Sequence, residues 1–434
     1  MAEKIVSPGV FTNEIDQTFL PAAIADIGAA LIGPTVKGPA RVPTVVSSYS
    51  EFQQIFGDTF KSGSNYFQFL TSHAAEQYLK NSNVLTVVRI LDGAYGPAEA
   101  SVATASGFSA GIGDERTGTS FKLHTLADGA IMNNADTTVR TNNILVSGST
   151  HNIRYEISSV NDAKGTFTLQ IRKGNDSIKR KQVVETFNNI DLDPRSNNYI
   201  LKAIGDQVQT VRSDENGKPF LQLSGSFPNK SKYVRVSSVN DTIDYLDENG
   251  DVRTPILSAS LPATGSGSYF GSFRSGSAGF VEVTSLGHVC ESAGTINADG
   301  QIYFYDDITD TNTQGYDPDT GASGQNAYQR AINLLKNQDE YDINLLLLPG
   351  IISAKHTNVT NTALDMVEER GDCFVVLDPV LYGANLSEAT TQAETRDSSY
   401  SAMYWPWVQV HEPQLGKNVW VPPSVTIGGI YAFN

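Results

Sequence analysis

Apolar positions in this chain follow two patterns. Towards both ends they form continuous runs bounded by turn residues, while in the middle they alternate with polar ones over short stretches. From Tyr341 onward, the run from Ile343 to Leu348 is broken only by Asn344 and closed by Pro349-Gly350. Such a run reads as a strand covered on both faces. Val359, Ala363, Met366 and Val367 then recur at i, i+4, i+7 and i+8, and Gly371 follows, which predicts a glycine-capped helix. A second buried strand, Phe374 to Leu377, is stopped by Asp378-Pro379. Strand, helix and strand at this spacing predict a right-handed parallel crossover.

The first hundred residues carry a related pattern. Ala29 to Gly33 is apolar, and Gly38-Pro39 turns the chain. Ser48 and Glu51 have capping-box spacing ahead of Phe52, Ile55 and Phe56, which share a helical face. Tyr66, Leu70, Ala74 and Tyr78 predict a second helix, and Val84 to Leu91 a buried strand. Ahead of them, residues 1–24 read as a Pro-punctuated extended arm. Its Val10, Phe11, Thr12, Asn13, Glu14 and Ile15 have strand composition but no adjacent hairpin partner. Taken alone, that segment reads as an edge strand or a loose terminus.

Residues from Gly93 to about Gly324 are rich in Ser, Thr, Gly and Asn. They hold short alternating runs, such as Phe167 to Ile171 and Tyr233 to Ser237, between turn signals at Glu248-Asn249-Gly250 and Asn297 to Gly300. One or two antiparallel β domains are predicted there. Ala327, Ala331, Leu334 and Leu335 give a helix leading back to the C-terminal unit. The fold class expected is α+β and multi-domain.

Short motifs add a family resemblance. Leu347-Leu348-Pro349-Gly350, Leu377-Asp378-Pro379, Pro406-Trp407-Val408, Val421-Pro422-Pro423-Ser424 and Gly429-Ile430-Tyr431-Ala432 stand in the order and spacing of the core of contractile-tail sheath proteins. Those subunits form the contractile sleeve of myophages and related injection machines. Ser7-Pro8-Gly9-Val10 resembles the family's N-terminal opening, and Val184 to Ser196 with Tyr199 is similar to a further motif.

The resemblance implies an α/β sheath core assembled from residues 25–93 and 326–434. An inserted β domain at 94–204 and a second, lineage-specific β insertion at 205–325 would interrupt it. It also implies that the arm at 10–15 pairs with a neighbouring subunit's sheet. The partners implied are other copies of the chain, an inner tail tube protein, and baseplate and tail-terminator proteins. Such a protein is structural, without catalytic residue, cofactor or metal, and resides in a virion tail assembled in the host cytoplasm. The family's chains continue beyond the motif at 429–432 with an arm strand and a tube-contacting helix. The corresponding expectation for this sequence is a monomer or small oligomer rather than long sheath. Another non-enzymatic tail or capsid module is the nearest alternative.

Composition narrows the classes further. At 434 residues the chain exceeds a single typical core. A formal charge of −16 argues against a nucleic-acid groove, which needs a basic footprint. The basic cluster Lys173, Lys179, Arg180 and Lys181 reads as a solvated hairpin tip. Of the two cysteines, Cys290 and Cys373, the second precedes a buried strand and reads as a small core residue. The first residues lack a basic start followed by an apolar run, and no run approaches the ~20 residues a membrane span needs, so a soluble protein made inside the cell is expected.

Several patterns imitate chemistry. Gly107-Phe108-Ser109-Ala110-Gly111 has nucleophile-elbow spacing, but weakly apolar residues precede it and no helix start follows. His288 or His356 would have to serve as base. Asp310, Asn312, Gln314 and Gly315 imitate a calcium loop, yet its twelfth position is Gly321 where a bidentate Glu is required. Asp378 ends a strand where α/β enzymes place catalytic groups, without an evident partner. Trp405 and Trp407 could form a carbohydrate platform, though core or interface packing is the better reading.

Overall fold

The computed structural model describes residues 28–62, 65–91, 95–105, 118–129, 139–146, 149–215, 218–267, 269–274, 303–412 and 416–434. The expectations for Val10, Phe11, Thr12, Asn13, Glu14 and Ile15, for Ser109, for His288 and Cys290 and for the turn at 297–300 lie outside those residues.

The chain begins with β1 (Gly28–Gly33), β2 (Thr44–Val46), α1 (Tyr49–Phe56), β3 (Thr59–Ser62), β4 (Asn65–Gln68), α2 (Leu70–Leu79) and β5 (Leu85–Arg89). The middle contributes β6 (Pro97–Ala103), β7 (Thr119–Asp128), β8 (Ile153–Asn161), β9 (Thr166–Lys173), β10 (Val183–Asp191) and α3 (Ile200–Ile204). There follow β11 (Val208–Ser213), β12 (Pro219–Ser224), β13 (Val234–Val239) and α4 (Pro255–Ala259). The last part holds α5 (Phe304–Asp307), α6 (Ser323–Leu334), β14 (Ile343–Ile352), α7 (Thr357–Arg370), β15 (Phe374–Asp378) and α8 (Leu386–Glu394). It closes with β16 (Ser401–Met403), β17 (Val408–Glu412), β18 (Lys417–Val421) and α9 (Ser424–Phe433). The fold is α+β, with several sheets.

Strands from both ends of the chain form one six-stranded sheet, ordered β16-β15-β14-β1-β5-β2. All its pairs are parallel except β2 with β5. Leu31 stands opposite Leu347, and Leu346 opposite Val375, so the predicted crossover unit is present and β1 completes it. Because side chains alternate across a strand, each apolar run divides between two faces. Ala29, Leu31, Val87, Leu345, Leu347 and Val376 pack with α1, α2 and α9. Ala30, Ile32, Val88, Leu346, Leu348 and Val375 pack with α6 and α7 on the other side. The result is a three-layer sandwich, which explains why these strands are apolar at nearly every position.

Local signals act as the sequence suggests, with some shifts. Ser48 caps α1 by accepting the Glu51 N–H, but the reciprocal bonds to the Glu51 carboxylate come from Ser47, one residue earlier. Gly371 ends α7 in the left-handed region at φ 73°, its N–H bonded to the Val367 carbonyl. Tyr66 belongs to β4 rather than to the expected helix. The β3–β4 hairpin occupies that stretch, and the backbone of Phe69 is still extended where α2 begins.

The strand expected to close at Pro349-Gly350 runs through them to Ile352. Pairing with β1 stops at Leu347, and the register with β15 shifts before Ile352. Pro349 therefore sits where no ladder donor is called for.

The middle of the chain folds antiparallel, in sheets ordered β10-β9-β8 and β13-β7-β6. Val102, Phe121, Ile157, Phe167, Leu169 and Val236 share one core, with Phe121 stacked on Phe167 at 5.6 Å. The expected division at 204/205 does not separate two β domains, since β13 pairs with β7. Nor do residues 303–325 belong with this middle part. Phe304, Ile308 and Tyr316 pack into the three-layer core, because their large side chains fill space beside the six-stranded sheet. The run Val184 to Ser196 forms β10 and a loop bonded within itself, and Tyr199, just beyond it, donates to Asp241 at 2.6 Å. Lys179, Arg180 and Lys181 are exposed on the β9–β10 connection. Among the described residues, no helix is long and apolar enough to cross a membrane.

Candidate functional site

Apart from the arm and the run Val184 to Ser196, the structure brings the motif residues singled out in the sequence onto the three-layer core, several of them around α9 and β15. Ser424, the first residue of α9, donates its backbone N–H at 2.9 Å and its hydroxyl at 2.6 Å to the two carboxylate oxygens of Asp378. A carboxylate at a helix N-terminus satisfies an orphan donor and meets the positive end of the helix dipole. Burial raises the Asp378 pKa to about 7, against the Ser424 hydrogen bonds that lower it. Pro379 turns the chain, and its carbonyl accepts the Ala354 N–H at 3.1 Å. Asp378 is thus a structural cap with both oxygens engaged.

Pro422 and Pro423 lead into α9, where they donate nothing and their carbonyls accept the Val425, Thr426 and Ile427 N–H groups. Two turns of close packing follow. A β-carbon at Gly428 would fall 2.5 Å from Leu347 Cδ1, and one at Gly429 would fall 2.5 Å from the Gln77 carbonyl oxygen. The Gly429 carbonyl also accepts from Asn81 Nδ2 at 2.9 Å. Only glycine lets α9 approach β14 and α2 this closely. Tyr431 packs edge-on against Phe374 and Tyr404, and its hydroxyl bonds that of Tyr404. Ile430 and Phe433 lie on the outward side of the helix, exposed to 52% and 77%.

Leu348 is buried against α6 and α7. Next to it, Pro349 and Gly350 are held by the segment that imitated a calcium loop. Buried Gln314 accepts the Leu70 N–H at 2.8 Å and donates to the Pro349 carbonyl at 3.1 Å, while Thr313 donates to the Gly350 carbonyl at 2.8 Å. Asn312 donates to Asp307, and Asp310 pairs with Lys355. These side chains are spent on protein contacts, so the loop stitches α2 to β14. Gly350 adopts φ 88°, where a β-carbon would lie 2.9 Å from Gln314 Nε2. His356, once a candidate base, is equally committed. Its Nδ1 accepts the Ile352 N–H at 3.0 Å, which leaves Nε2 as the donor to the Thr309 carbonyl at 2.8 Å.

Pro406 follows Trp405 through a cis peptide, and the two tryptophans diverge. Trp407 is buried, its indole N–H on the Val380 carbonyl at 3.2 Å, and its ring meets Tyr382 edge-on at 5.8 Å. Trp405 is 42% exposed, with its indole N–H on the Ala384 carbonyl. They do not share a face, so packing accounts for this pair. Cys373 is buried, and burial raises its thiol pKa to about 11, the inert state of a core cysteine.

An open cleft of about 610 Å³ lies beside α9, lined by Tyr78, Asn81, Asn344, Phe374 and Tyr431 among others. It opens at the amino ends of β14 and β15, whereas ligand sites of open parallel sheets lie at the carboxyl ends. Ser424, Gln314 and Asn81 were not singled out in the sequence as structural anchors. Ser424 closed a motif, Gln314 resembled an ion ligand, and Asn81 carried no signal.

No protein-family model matches the sequence, and no curated protein matches it. Among solved structures, the chain is similar to the crystal structure of a sheath tail protein from Desulfitobacterium hafniense, with a TM-score of 0.38 and 11% identity. It is also similar to a sheath tail protein from Listeria innocua, with a TM-score of 0.41 and 10% identity. The matches cover 98% and 94% of this chain, which spans 61% and 56% of those proteins' lengths. Both are of the kind the motifs resemble.

Proposed function

We propose that this chain is a structural subunit of a contractile tail sheath, polymerising around an inner tube and contracting to drive it through a target cell envelope. One observation carries the reading. Motifs spread from Leu347 to Ala432 that match the sheath pattern in order are also neighbours in space, joined by the Asp378–Ser424 bonds and the close approach at Gly428 and Gly429. Each motif has a structural task there, and their polar atoms are used in holding the core together.

A sheath subunit needs a stiff body joined to its neighbours by links that survive rotation. The three-layer core supplies the body. The arm at residues 10–15 would supply the link by adding a strand to a sheet in the next copy, because main-chain hydrogen bonds are directional yet indifferent to side-chain detail. The outer edge of β16, where no strand pairs among the described residues, is the place we assign to it. At roughly 0.5–1.5 kcal/mol net per hydrogen bond, one such strand is weak, but repetition along a filament makes a durable mesh. Contraction would then draw on free energy stored at assembly.

The β11–β12 hairpin, with most of its side chains exposed, offers a handle for testing this. Gold-labelled antibody raised against residues 208–224 should decorate contractile tails along the whole sheath. Label confined to one end of the particle, or absent from it, would overturn the reading.

A further inference from the structure

We propose that His73, Glu76 and Glu412 form a binding site for one first-row divalent cation, zinc by the chemistry of its donors. His73 and Glu76 lie on α2, three residues apart and so on the same side of the helix. Glu412 ends β17 and reaches them from the other side. One ligand atom from each residue lies within 4.8 Å of the other two.

A second observation singles this cluster out. His73 is completely buried, and neither of its ring nitrogens has a hydrogen-bond partner. A buried polar group without a partner costs about 1–3 kcal/mol and calls for an explanation. Its Nδ1 points at Glu412 Oε2 from 3.7 Å, too far for a hydrogen bond. A buried imidazole nitrogen that has no hydrogen-bond partner and faces a carboxylate oxygen across such a gap is available as a metal donor.

Zinc takes nitrogen and oxygen ligands at about 2.0–2.2 Å, so tetrahedral ligand atoms stand roughly 3.4 Å apart. The 3.7 Å between His73 and Glu412 is close to that spacing. One imidazole with two carboxylates suits zinc better than calcium or magnesium, which prefer all-oxygen sets. Glu76 keeps some exposure and pairs with Lys80, itself half exposed, at 3.1 Å, which gives the ion its way in. Once bound, the ion would fasten α2, the helix against which Gly429 packs, to the β17–β18 hairpin.

The protein, stripped with a chelator and titrated calorimetrically with zinc chloride, should bind one ion per chain and melt at a higher temperature with it. Glu76→Gln and Glu412→Gln should each weaken binding by about tenfold or more. Glu76 is partly exposed and Gln is nearly isosteric with it, so its variant keeps the fold and suffices if the Glu412 variant does not. Absence of saturable zinc binding, or equal affinity in the wild type and Glu76→Gln, would overturn the proposal.

Discussion

Asp378 and Ser424, far apart in the chain, meet through two hydrogen bonds that join the end of β15 to the start of α9. Burial carries the cost of this joint. Asp378 titrates near 7 in the fold and near 3.8 as an ordinary aspartate, so between those values the folded chain holds a proton the unfolded chain has released. Stability through this group is therefore highest in acid, falls as pH rises from about 4 to about 7, and is level above that, by up to about 1.4 kcal/mol per pH unit. Asp378→Asn keeps an acceptor for the Ser424 N–H and removes the titration. Urea unfolding of both proteins across this range should show the wild type losing stability relative to Asp378→Asn as pH rises from about 4 to about 7, whereas parallel curves would contradict it.

The contact between α9 and α2 depends on the absence of a side chain. Gly429→Ala places a β-carbon against backbone, the Gln77 carbonyl, which cannot move without shifting the helix. Overpacking of this kind costs typically about 1–3 kcal/mol. Ile430→Ala, at the half-exposed neighbouring position, should stay within about 0.5 kcal/mol of wild type. Denaturant midpoints of the two variants check the contrast.

Gln314 is a buried bridge between Leu70 and Pro349. Gln314→Ala leaves an amide N–H and a carbonyl without partners, at roughly 1–3 kcal/mol for each group left unsatisfied. Thermal unfolding should register that loss. Calcium should not shift the wild-type melting temperature, since the acceptors of the loop at 310–315 are taken.

Much of the core could be read from the sequence because it is made of strong local patterns. The run from Ile343 to Leu348 and the spacing of Val359, Ala363, Met366 and Val367 each admit one good structure. Failures arose where a residue's role depends on a distant partner. Tyr66 fitted a helical spacing with Leu70, but the β3–β4 hairpin took it. Gln314 was read only as part of a polar loop that imitates a calcium site, because its real partners, Leu70 and Pro349, lie far from it in sequence. Gly429 opened a recognised motif, yet nothing local says that α9 forms there or that Gln77 faces it. His73 and Glu76 share one side of a helix, a pattern that acquires meaning only beside Glu412.

Electron cryomicroscopy of contractile tails containing this chain tests the sheath reading most directly. The prediction is a helical lattice of three-layer cores around the tube, with Val10, Phe11, Thr12, Asn13, Glu14 and Ile15 running as a strand along the sheet of the adjacent copy. A lattice in which those residues fold back into their own subunit, or tails whose sheath layer lacks this core, would contradict it.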